Sequence, residues 1–239
     1  MNQKKKTPSG GGGGAGRPFY IILGLVVAAG IAWLITAAAG DGGEQTAASP
    51  VSLDIQADPG AGIAQGAEDA PVTIMEFADY SCPHCGTFAN FTGRLLRQNF
   101  VGDGGPVRWV LYDYVLGTFP HSMAASLAAR CSGDQGQYWP MHDLLFARQT
   151  RWSRERDPSG TLRDLADELG LDRGEFRACV SEERHVERIL AVRKYGDQLG
   201  VNSTPTIFLN GRPLNLETEG SYEAIEQAIR TAAGGASDS

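Results

Sequence analysis

Cysteine is scarce in this chain. There are four in 239 residues, none before position 82, and histidine is equally rare at four. Only Cys82 and Cys85 share a two-residue spacing, and the histidines are scattered. That weighs against a zinc site, which needs four ligands or three plus water. Acidic residues are missing from the first 40 positions, where Lys4, Lys5, Lys6 and Arg17 are the only charged side chains. The net charge of −7 conceals this asymmetry: beyond Arg17, 17 basic residues face 28 acidic ones, a balance of −11. A body of that sign lacks the basic footprint that phosphate backbones demand, so nucleic acid is excluded as a main partner. No internal repeat is visible in the folded part.

Charge is also absent from Phe19 to Ala39, 21 residues reading FYIILGLVVAAGIAWLITAAA. As a helix rising about 1.5 Å per residue this run spans roughly 31 Å, close to the ~30 Å hydrocarbon core of a bilayer. It has no polar face, so it makes a poor buried helix of a soluble domain. Basic residues before it and acids after it put the N-terminus in the cytoplasm and the chain beyond Gly40 outside. Ala37-Ala38-Ala39 resembles a cleavage site. The run exceeds the roughly 7–15 residues of a signal-peptide core, which favours an uncleaved single-pass anchor over a removed leader. Under either reading the body is exported, to a compartment where disulfides persist.

Residues 1–18 are basic and Gly-rich and read as a disordered cytoplasmic tail, 19–39 as the transmembrane anchor, 40–68 as a flexible linker and 234–239 as a disordered tail. Pro71 to Asp79 reads as a buried central strand. Phe88, Phe91, Leu95 and Phe100 recur at near-helical spacing after it, and Val107 to Val115 reads as a second strand. Helical patterns then fill 119–200: Thr161-x-x-Asp164 and Asp172-x-x-Glu175 resemble capping boxes, and Gly170 is a stop. Thr206 to Leu209 and Arg212 to Leu216 flank Asn210-Gly211, a strong hairpin turn. Tyr222, Ile225 and Ile229 mark a last helix. The order β-α-β, helical block, β-β-α is that of an α/β thioredoxin fold, here 69–118 and 201–233, with a helical insertion at 119–200.

Ser81-Cys-Pro-His-Cys85 joins strand to helix. Cys82 is placed at the helix N-cap, with Pro83 at the first helical position. The helix dipole favours a thiolate there, and His84 adds a donor or positive charge. Such settings lower a cysteine pKa from about 8.5 to as little as ~3.5. Cys82 is then the exposed nucleophile, and Cys85, one turn in, resolves the mixed disulfide. An inert structural disulfide or half a zinc site are the rival readings. Glu76 lies mid-strand on the face of Val72 and Ile74. It is either a desolvated proton acceptor for Cys85 or a partly exposed acid. Thr204-Pro205 opens the TIFL strand with either a trans or a cis proline, the latter turning Thr204 backbone groups toward a substrate.

These residues together resemble the DsbA-like proteins of the thioredoxin superfamily. FADYSCPHCGTF resembles that family's active-site strand, turn and helix. FPHSMAASLAARC with QGQYWPMHDLLF resembles the start of its helical insertion, and NSTPTIFLNG its cis-proline loop. The similarity runs from about Val72 to Arg230. It implies a thiol–disulfide oxidoreductase in which Cys82, Cys85, His84, Pro83 and Glu76 form the catalytic group and Thr204 and Pro205 contact substrate. It needs no cofactor and no metal. The partners implied are exported proteins with free thiols and a membrane redox partner for reoxidation, and the chain is expected to act as a membrane-anchored monomer. A reductase or isomerase, or a non-catalytic peptide-binding module, are the alternatives. Cys131 and Cys179 stand outside the motif. A structural disulfide between them closes a loop of about 49 residues, worth of order 4 kcal/mol. Two buried thiols or a second redox relay are the other readings. His121 and His142 read as capping or core residues, and His185, among Glu182, Glu183 and Arg184, as part of a solvated face.

Overall fold

The computed structural model describes residues 61–236. The segments 1–18, 19–39 and most of 40–68 lie outside them. Among the described residues no helix is long and apolar enough to cross a membrane.

Five strands form one sheet in the order β1-β3-β2-β4-β5: β1 (Ile63–Gln65), β2 (Val72–Ala78), β3 (Val107–Asp113), β4 (Thr206–Leu209) and β5 (Arg212–Pro213). β2 and β3 are parallel, and the other pairs are antiparallel. β2 is central and buried on both faces, as its unbroken apolar run requires. One face of the sheet carries Val72, Ile74, Trp109, Ile207 and Leu209. It packs under α1 (Pro83–Asn90), α2 (Thr92–Phe100) and the final helix α10 (Tyr222–Ala236). The opposite face carries Met75, Phe77, Val110, Tyr112 and Phe208 against α8 (Val186–Gln198). Phe77 stacks on Tyr112 with ring centroids 4.6 Å apart. Asn210 (φ 47°) and Gly211 (φ 80°) turn β4 into β5 in the left-handed region that Asn and Gly tolerate.

Between β3 and β4 runs the helical block: α3 (Ser122–Gly133), α4 (Tyr138–Ala147), α5 (Gln149–Trp152), α6 (Ser159–Glu168), α7 (Arg173–Ser181) and α8, with the short α9 (Leu216–Glu219) after β5. Ala125, Ala128, Met141, Leu145, Trp152 and Leu165 form its core. Arg130 of α3 forks onto the buried Asp113 at the end of β3 and donates to the Ala61 carbonyl at 2.7 Å. One guanidinium thereby ties the block to the sheet.

Four expectations need correction. β1 lies inside the stretch read as linker: three residues are too few to show alternation, and pairing with β3 rather than local pattern holds them. α10 runs to Ala236, past the expected boundary at 233, although Gly234 and Gly235 are poor helix formers. The helix after Cys82 is two helices, broken at Phe91 (φ −117°, ψ −86°). Phe91 and Leu95 are therefore 67% and 47% exposed, while Phe88, Leu96 and Phe100 are buried. Thr161 does not cap a helix: it sits inside α6 and donates to Glu155 at 2.7 Å, while Asp157 accepts from the Ser159 N–H. Asp172 does cap α7, accepting from the Glu175 N–H at 2.7 Å.

Candidate active site

β2 delivers the chain to the site and α1 receives it. Cys82 is the N-cap of α1 in extended conformation, with Pro83 in the first turn. The connecting turn is held by Asp79, whose carboxylate accepts from the backbone N–H of Ser81 at 2.8 Å and of Leu116 at 2.9 Å. Ser81 donates to the Pro120 carbonyl at 2.8 Å. From the helical block, the Gln149 amide donates to the carbonyls of Tyr80 (2.7 Å) and Cys82 (2.8 Å). A Cβ at Gly86 would meet the Gln149 side chain at 2.4 Å, so only glycine lets that amide reach the turn.

Cys82 and Cys85 are both free thiols, and both are buried, at 3% and 0% exposure. Cys82 was expected to be exposed. Instead the Thr204-Pro205 loop, joined by a cis bond, lies over it, and the Cys82 thiol meets the Thr204 carbonyl at 3.4 Å. The Cys82 pKa falls from its ordinary 9.0 to about 5. The largest cause is hydrogen bonding from the Cys85 thiol, outweighing the cost of burial. Thr204 and the backbone N–H groups of Cys85 and His84, at the open end of the helix, add to it. The Thr204 hydroxyl is buried with no other partner, which leaves it free to donate to a Cys82 thiolate. His84 contributes its backbone N–H, while its side chain is exposed. Cys85 moves the other way: burial, then the neighbouring Cys82, raises it well above the ordinary value.

Glu76 is 2% exposed on the α1 face of β2, in register with Leu111 and Ile207. Burial raises its pKa from 4.5 to about 7, against the opposing pull of the Arg97 charge and a hydrogen bond from Trp109 Nε1 at 2.9 Å. Its Oε1 has no partner. A buried carboxyl that half-ionises near neutrality, with one oxygen unoccupied, is suited to passing a proton.

Beside Cys82 an open groove of about 590 Å³ is lined by His84, Phe88, Phe91, Thr204, Pro205 and Leu216, among others. Phe91 thus finds a use the helical spacing did not suggest. Gln149 and Asp79 also escaped the sequence reading, since a lone Gln or Asp gives no signal until its backbone partners are known.

The structure joins Cys131 to Cys179 by a disulfide, with Cα atoms 5.8 Å apart. His142 is buried beside Tyr80, 3.3 Å from its hydroxyl, and His121 Nε2 sits 2.9 Å from the Glu155 carbonyl. His185 is only partly solvated: its side chain pairs with Asp134 at 2.9 Å beside the disulfide. The one cluster of three or more metal-ligating side chains among the described residues is there, and not at Cys82–Cys85.

Residues 58–231 match the family model described as Thioredoxin. The chain is 35% identical over 188 residues to Na(+)/H(+) antiporter NhaA 1 of Salinispora arenicola, covering 77% of this chain and 27% of the antiporter. It spans between 25% and 31% of the length of this and two other NhaA antiporters that it matches. It is 26% identical over 170 residues to disulfide bond formation protein D of Bacillus subtilis, covering 69% of this chain and 73% of that one. Oxidised BdbD from Bacillus subtilis superposes with a TM-score of 0.63 at 25% identity, covering 73% of this chain and 94% of that structure. With these matches and with the paired thiols at the head of α1 beneath the Thr204-Pro205 loop, the chain belongs to the thioredoxin superfamily, as a DsbA-like member.

Proposed function

We propose that this chain is a membrane-anchored, extracytoplasmic dithiol oxidase that introduces disulfides into exported proteins through Cys82 and Cys85. The observation that carries the reading is the opposed acidity of the two thiols: Cys82 held near 5, Cys85 pushed far up. A substrate thiolate attacks Sγ of Cys82 in the oxidised enzyme. The Cys82–Cys85 bond breaks, a mixed disulfide forms, and Cys85 leaves with the electron pair. Cys85 then takes a proton, for which the neutral Glu76 carboxyl is the buried source. The substrate's second thiolate attacks its own sulfur in the mixed disulfide and expels Cys82, a good leaving group because it is a stable thiolate. The substrate has lost two electrons, and the enzyme holds them as a dithiol.

Thr204 and Pro205, with Phe91 across the groove, form the surface on which an extended substrate segment lies. Phe19 to Ala39 supplies the anchor, which keeps the domain beside a membrane partner that reoxidises it. Pro83 and His84 set the helix start and its donors.

Trapping tests this mechanism. Cys85→Ala should accumulate mixed disulfides with exported proteins on non-reducing diagonal gels: its Cys82 thiolate attacks a disulfide of an exported protein, the other sulfur of that disulfide leaves as a thiolate, and no Cys85 thiolate remains to expel the bound protein. Cys82→Ala should accumulate none. Equal complexes in the two variants would reverse the nucleophile, and none in either would favour a binding module over an oxidase.

A further inference from the structure

The Cys131–Cys179 disulfide is flanked by two polar side chains that a cross-link does not need. Cys131 lies in the last turn of α3, Asp134 is that helix's C-cap, Cys179 lies in α7 and His185 is the N-cap of α8. His185 Nε2 is 3.0 and 2.9 Å from the two Asp134 carboxylate oxygens, and Cys179 Sγ is 3.4 Å from the nearer one. A disulfide sulfur carries no hydrogen, so a carboxylate set against it forms no hydrogen bond. The same approach is what two ligands of one cation make. The donor atoms of Cys131, Cys179 and His185 all lie within 4.8 Å of one another, and Asp134 Oδ2 adjoins two of the three, Cys179 and His185.

We propose that the reduced chain binds one zinc-like divalent cation through Cys131, Asp134, Cys179 and His185, and that the metal-bound form and the disulfide are alternative states of the same site. Two thiolates, an imidazole and a carboxylate are a borderline-soft set, suited to tetrahedral Zn²⁺ and unsuited to Mg²⁺ or Ca²⁺. With Zn–S at about 2.3 Å, tetrahedral geometry sets the sulfurs roughly 3.8 Å apart, so the S–S bond excludes the cation. Both cysteines are buried, at 1% and 0% exposure. The side chains of His185 and Asp134 are partly exposed, at 15% and 34%, and open a path for an ion. Binding releases the two thiol protons to solvent. A newly exported chain already carries both thiols. Closing the disulfide later passes two electrons to a disulfide-bearing oxidant, which becomes a dithiol, and frees the cation.

The test uses the full-length chain carrying Cys82→Ser and Cys85→Ser, so that Cys131 and Cys179 are its only cysteines. A phosphine and water convert the disulfide to two thiols and phosphine oxide, and Co²⁺ is titrated after desalting. We expect one Co²⁺ per chain, with the visible bands of a tetrahedral ion and a thiolate charge-transfer band, displaced by Zn²⁺ and absent before reduction. His185→Ala and Asp134→Ala should each weaken binding by at least about tenfold. If reduction unfolds the protein, Zn²⁺ should restore its far-UV circular dichroism, because binding energy is then folding energy. The proposal is overturned by a folded reduced protein that takes up no Co²⁺, by an unfolded one that zinc does not rescue, or by unchanged affinity in either variant.

Discussion

Two thiols three positions apart along one helix carry opposite acidities, and the cause is the direction in which each donates. Cys82 receives hydrogen bonds from the Cys85 thiol, Thr204 and two backbone N–H groups, while Cys85 sits in the core and gives its proton toward Cys82. Alkylation of the reduced protein should therefore track a Cys82 titration with a midpoint near 5. In Cys85→Ala that midpoint should rise, since the largest stabilising donor is gone. A midpoint near 9, or one that ignores Cys85, contradicts this assignment. Glu76 offers a stability test. Its folded pKa lies above the ordinary value, so its contribution is fully present below 4.5 and is lost as pH rises through about 7. Above that, its charge costs about 3 kcal/mol at ~1.4 kcal/mol per pKa unit. Glu76→Gln should stabilise the protein by roughly that amount near pH 8 and by close to nothing near pH 4. Denaturant melts at the two pH values measure the difference, and a gain independent of pH would contradict the buried-acid account.

At the scale of elements, much was legible because it was local. The central strand β2, the Cys82–Cys85 turn, the Asn210-Gly211 hairpin and the Asp172 cap each announce themselves within ten residues. What escaped depends on partners far along the chain. β1 exists through pairing with β3, and Gln149 matters only because α5 packs on the Cys82 turn. His185 turns to Asp134, 51 positions away. The break at Phe91 misled the spacing argument itself: a stripe of Phe88, Phe91 and Leu95 is one face only on a continuous helix. Arg130 shows how strongly the block depends on such distant contacts. Its forked hydrogen bonds to Asp113 are fully enclosed, so Arg130→Met strands a buried charge and leaves the Ala61 carbonyl unpaired. The expected loss is about 3–5 kcal/mol in a denaturant melt, and a loss below about 1 kcal/mol would mean the pair is not what joins block to sheet.

For the whole molecule, the direction of electron flow decides what the fold is used for. The same thioredoxin frame can reduce or oxidise, and the difference lies in how much the reduced form gains from a stabilised thiolate. In the proposed oxidase, the acidic Cys82 favours the dithiol state and so makes the disulfide an oxidant. An exported position beyond Phe19 to Ala39 would place that oxidant among chains that arrive with free thiols. The measurement that bears most directly on this account is the reduction potential of the Cys82–Cys85 pair, equilibrated against glutathione buffers. The account requires a value above about −180 mV, on the oxidising side of the isomerase range, and a value near −270 mV, that of a reducing thioredoxin, would contradict it.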